Sequence, residues 1–130
     1  MGSAADVSKI DWNLFGALGF NVDDALQYCD NDKEFYVTLL VQYIEEQPPK
    51  LEKIKEAYAA KNWEDYCTLI HSVKSSSKMI GAVKLFEHAY ALEKASSNSD
   101  ENFINLNHDN VMNECNNICR RISALIHYVK

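Results

Sequence analysis

Apolar residues recur in steps of three and four along most of this chain, and little interrupts them. Tyr66, Leu69, Ile70, Val73, Ser77 and Ile80 trace one stripe, and Val111, Cys115, Ile118, Ile122, Leu125 and Val129 trace another. Leu40, Ile44, Leu51, Ile54 and Tyr58 form a third, with Gln47 filling its one gap and the register holding across Pro48-Pro49. Such spacing belongs to helices that bury one face. Only four Gly and two Pro punctuate 130 residues, too few for the many tight turns of a sandwich or barrel. The pattern predicts an all-α fold, an antiparallel four-helix bundle with short N-terminal helices packed across it.

The helix boundaries carry chemical signals. Asn21 precedes Asp23 and Asp24, Asn31-Asp32-Lys33-Glu34 has capping-box spacing, and Asn62 precedes Glu64 and Asp65. The prolines predict one helix kinked near Gln47 without a change of direction. Gly81 should end the helix that follows Asn62, because glycine readily adopts the left-handed turn at a helix end. A further segment from about Ala82 to Ala95 turns Leu85, Phe86, Ala89 and Leu92 inward. Ser96-Ser97-Asn98-Ser99-Asp100 reads as a loop, and the Asn-rich stretch behind it leaves the start of the last helix open by several residues.

A net charge of −6 argues against a nucleic-acid partner, which would call for a concentrated basic surface. No apolar run reaches the ~18 residues of a membrane span, and the N-terminus lacks an export signal, so a cytoplasmic, monomeric domain is expected. Cys29, Cys67, Cys115 and Cys119 include no C-x-x-C pair, which predicts neither disulfide nor metal. Met1-Gly2-Ser3 reads as a tag remnant, so residues 1–9 are assigned to that remnant and an N-terminal arm and 10–130 to the domain.

The chemistry is sought among the histidines. With Tyr66 at zero and about 100° per residue, the stripe of its helix centres near 350°, while His71 falls near 140°, Lys78 near 120° and Lys74 near 80°. His71 therefore points outward, with two lysines one and two turns beyond it on the same side and Ser75 one turn beyond. A neutral imidazole in a locally positive patch can attack phosphorus. Two helical arms turning at Gly81-Ala82 bring residues level when their numbers sum to about 163, which sets His71 beside Leu92 or Glu93. Glu93 then has two candidate roles: accepting the Nδ1 proton of His71, or pairing with a lysine at the surface. His88, His108 and His127 show no partner at a spacing suited to metal binding or nucleophilic catalysis.

The stretch His71-Ser72-Val73-Lys74-Ser75-Ser76-Ser77-Lys78-Met79-Ile80-Gly81-Ala82 resembles the signature of histidine-containing phosphotransfer (HPt) domains, H-x-L-K-G-S-x-x-x-L-G-A. Ile10-Asp11-Trp12, the Glu-Phe-Tyr of the Asp32-to-Leu40 helix, Asn62-Trp63-Glu64-Asp65 and Leu92-Glu93 extend the likeness over roughly residues 10 to 128. The resemblance implies a four-helix bundle acting as a phosphorelay carrier. His71 would accept a phosphoryl group from an aspartyl-phosphate receiver domain and hand it to another. Lys74, Lys78 and Ser75 would stabilise the phosphoryl group, Glu93 would orient the imidazole, and Gly81 would set the helix end and docking geometry. The expected partners are response-regulator receivers and a hybrid histidine kinase. No cofactor is expected in this chain, since Mg²⁺ belongs to the receiver, and with no nucleotide motif no kinase activity of its own is expected. Ser75 stands where the family usually has Gly, which predicts an altered rate or partner choice. The competing reading is an interaction bundle that docks receivers without transfer.

Overall fold

The structure, a computed structural model, describes Ser3, Ala4 and residues 6–129. Met1 and Gly2 of the expected tag remnant lie outside the described residues. A 3-10 turn (Val7–Lys9) leads into six α-helices: α1 (Trp12–Ala17), α2 (Val22–Gln27), α3 (Lys33–Ala59), α4 (Trp63–Ile80), α5 (Val83–Ser97) and α6 (Glu101–Leu125). The long helices pack in a ring, α3 on α4, α4 on α5, α5 on α6 and α6 back on α3, while α2 rests against α3 and α4. This is the antiparallel four-helix bundle with short N-terminal helices laid across it.

Each stripe faces the centre of that ring. Tyr66, Ile70, Val73, Ser77 and Ile80 of α4 are buried, as are Leu85, Ala89 and Leu92 of α5 and Ile104, Val111, Cys115, Ile118 and Ile122 of α6. Helix α3 continues unbroken through Pro48-Pro49, both exposed, while Gln47 beside them is only 1% exposed. The caps are side chains accepting from backbone N–H groups: Asn21 from Asp24, Asp32 from Glu34 and Phe35, Asn62 from Asp65, and Asp100 from Phe103.

Three expectations change in detail. The loop expected over Ser96–Asp100 is shorter, because Ser96 and Ser97 complete α5 and the buried Ser96 hydroxyl donates to the Glu93 carbonyl at 2.8 Å. Asp100 caps α6, which settles the start that the Asn-rich stretch left open. Val129 leaves the stripe: α6 stops at Leu125, and Val129 is 69% exposed and bridged to Ser3 by two backbone hydrogen bonds.

The turn from α4 into α5 is the most constrained joint. Gly81 has φ +79°, a left-handed conformation, and a Cβ there would meet the Asn21 carbonyl oxygen at 2.4 Å. The Asn21 N–H donates to the Gly81 carbonyl at 2.8 Å, and Phe20 bridges Ala82. From the other side the buried Tyr36 hydroxyl donates to the Ile80 carbonyl at 2.6 Å, satisfying one of the acceptors a helix end leaves open.

Candidate functional site

His71 sits in the middle of α4, opposite the buried stripe, with its side chain 58% exposed. Its Nδ1 lies 2.6 Å from Oε2 of Glu93 on α5, and Nε2 has no partner among the described residues. An ionised carboxylate can only accept, so Nδ1 carries the proton and the Nε2 lone pair faces outward. The numbers 71 and 93 sum to 164, close to the level pairing that a tight antiparallel hairpin dictates.

Glu93 takes both roles that its position allows. Its second oxygen, Oε1, lies 2.7 Å from Nζ of Lys74, so one carboxylate bridges the imidazole and the ammonium. Partial burial alone would raise the Glu93 pKa. The hydrogen bonds and charges of Lys74 and His71 together outweigh that effect and hold it below the usual carboxylate value. The carboxylate is thus ionised at neutral pH.

The remaining predicted residues lie along the same side of α4. The Lys74 side chain is only 19% exposed, and its ammonium sits 5.3 Å from the centre of the Tyr90 ring, so it is packed against α5. Lys78, about 6 Å further along the axis, lies 5.3 Å over the Phe86 ring and lines a groove of about 350 Å³ with Asn21, Asp24, Tyr28 and Val83. It makes no ion pair among the described residues. Ser75 is exposed and its hydroxyl has no partner there, unlike those of Ser76 and Ser77, which turn back to helix carbonyls. Gly81 closes the helix two turns below Lys74.

A model of the Hpt domain matches residues 38–126, which span the histidine, both lysines and the carboxylate. The chain belongs to the Hpt domain family. Hpt domains carry out histidine phosphotransfer in phosphorelays and pair with receiver domains and histidine kinases. The fold agrees with a solved structure, the HPT domain from the Hpt sensor hybrid histidine kinase from Shewanella, at a TM-score of 0.73 and 14% identity over 94% of this chain and 97% of that one. No curated protein matches the sequence.

Two of this Hpt domain's other histidines have partners that sequence spacing could not reveal. Nδ1 of His88 lies 2.8 Å from Oε1 of Glu114 on α6, with the ring 56% exposed. His108 is buried, stacked on Tyr58 at 3.8 Å, and its Nδ1 lies 2.8 Å from the Tyr66 hydroxyl. Both contacts cross between helices 26 or more residues apart in sequence. Among the described residues no three His, Cys, Asp or Glu side chains converge to hold a metal, and no helix is long and apolar enough to cross a membrane.

Proposed function

We propose that this domain is a cytoplasmic, monomeric phosphorelay carrier in which Nε2 of His71 takes a phosphoryl group from the aspartyl phosphate of one receiver domain and passes it to another. The observation that carries the reading is the exposed imidazole whose Nδ1–H is committed to Glu93, which leaves Nε2 as an outward nucleophile. In the forward step the Nε2–P bond forms as the P–O bond to the receiver's aspartate breaks, and that carboxylate leaves. The proton stays on Nδ1, where the Glu93 carboxylate stabilises the positive ring. The return step reverses these changes. Phosphoryl transfer depends on positioning and charge stabilisation, and Mg²⁺ held by the receiver would supply most of the latter.

Lys78, an ammonium without a carboxylate partner among the described residues, is suited to offset phosphoryl charge. One lysine at 4 Å contributes between ~1 kcal/mol in full solvent and ~4 kcal/mol at intermediate dielectric, enough to tune the rate. The free Ser75 hydroxyl offers a hydrogen-bond donor where the family's usual glycine offers space. The test mixes the domain with a labelled, phosphorylated receiver. Acid-labile label should appear on the wild type and vanish in His71→Gln. Label retained by that variant would remove His71 from the role, and binding without any label would favour docking alone.

A further inference from the structure

Two imidazoles of this chain share one arrangement and differ in what stands behind it. His71 and His88 each direct Nδ1 at a carboxylate on the next helix, at 2.6 and 2.8 Å, and each ring is more than half exposed. Glu114 has no lysine or arginine partner among the described residues. Glu93 does: Lys74 lies 2.7 Å from the oxygen that His71 does not use. The two side chains of that ion pair are 19% and 21% exposed, and the Lys74 ammonium rests over Tyr90, so the lysine lies along α5 and not out toward an approaching group.

We propose that Lys74 is a positioning residue for phosphoryl transfer, its ammonium fixing one oxygen of Glu93 so that the other stays turned to Nδ1–H of His71 and the Nε2 lone pair stays outward. This rests on the reading of His71 as the acceptor and moves Lys74 from the phosphoryl group to the carboxylate behind the ring. The physical reason is the terminal torsion of Glu, which is broad when nothing holds it. A carboxylate gripped at both oxygens has one orientation available and presents its acceptor where the ring needs it. The groups facing that carboxylate are His71 and Lys74, both from α4, while the Cys67 thiol meets the Glu93 backbone carbonyl at 3.7 Å. No neighbouring acid competes for the lysine among the described residues.

The first measurement uses unphosphorylated protein, where a role on the phosphoryl group cannot register. Long-range ¹⁵N correlation spectra report the tautomer of each neutral imidazole. His71 should be predominantly Nδ1–H in the wild type. Lys74→Met should shift its tautomer ratio toward Nε2–H by about two- to five-fold, the range an ion pair of this kind supports. Lys74→Arg should restore the ratio, and His88 should not change in either variant, which also reports that the fold is intact. The second measurement is the rate of His71 phosphorylation by phosphoramidate. Lys74→Met should slow it about two- to five-fold when Glu93 is present and leave it unchanged in a Glu93→Gln background. An unchanged His71 tautomer in Lys74→Met, or an equal loss of rate in both backgrounds, would overturn the proposal and return the ammonium to the phosphoryl group. Failure of transfer from any receiver would instead bear on His71 as acceptor, which the tautomer measurement does not require.

Discussion

His108 shows how strongly surroundings decide what an imidazole does. It is 4% exposed, stacked on Tyr58 and bonded to the Tyr66 hydroxyl, and burial lowers its pKa, with Lys55 adding to the effect and Asp109 opposing it. The unfolded chain therefore binds a proton more readily than the folded one below the ordinary value of 6.5. Stability should be full above that pH and fall as pH drops from it toward the lowered native value. Urea midpoints at pH 7.5 and 5.5 should differ in the wild type and converge in His108→Phe; equal midpoints in the wild type would contradict the assignment. At the acceptor, Glu93→Ala should slow transfer from a phosphorylated receiver about ten-fold or more, the usual range for losing the group behind an imidazole, and Glu93→Gln should lose less because its carbonyl still accepts from Nδ1. The outward direction of His71 and its level with Glu93 were both legible from helical geometry. The Lys74–Glu93 pairing was visible only as one of two alternatives, because spacing says which groups are near and not that one carboxylate can serve two. The partner of His88 left no trace, since Glu114 lies on a helix whose register against α5 no short-range pattern specifies.

Among the elements, the α4–α5 joint carries the sharpest expectation. Gly81 combines a left-handed φ with a backbone approach that leaves no room for a methyl group. Gly81→Ala should cost about 1–3 kcal/mol of unfolding free energy from the conformation alone, and more as Asn21 is displaced. Chemical denaturation measures it, and a loss below about 0.5 kcal/mol would show that the turn relaxes freely. In the bundle interior, Ile122→Ala, at a position with no exposure, should cost about 2–5 kcal/mol by the same measurement. The ends of α2, α3 and α4 were legible because Asn21, Asp32 and Asn62 have the short acceptors that caps require. The end of α5 was misjudged because Ser96 and Ser97 look like loop residues, yet Ser96 bonds back to the turn before it and stays helical. Val129 kept the spacing of the α6 stripe by coincidence, after the chain had already turned at His127 with φ +54°.

For the molecule as a whole, the thiols report on cooperativity. Burial pushes Cys115 up to about 12 and Cys119 up to about 11, and it raises Cys29 as well, with Asp32 adding to that shift. A disulfide reagent should modify the buried Cys29 and Cys115 only as fast as the whole domain unfolds, while the half-buried Cys67 and Cys119 react first. Rapid reaction of all four thiols in native buffer would mean that the bundle opens piecemeal. Helix α4 adds a last consequence. It is capped by Asn62 at one end and held by Gly81, Asn21 and Tyr36 at the other, with His71 midway. Helices fray inward from loose ends, and this one has none. Backbone amides around His71 should therefore exchange with deuterium as slowly as any in the protein. A receiver would meet a ring mounted on an unyielding rod, and the adjustments of docking would fall to the incoming surface.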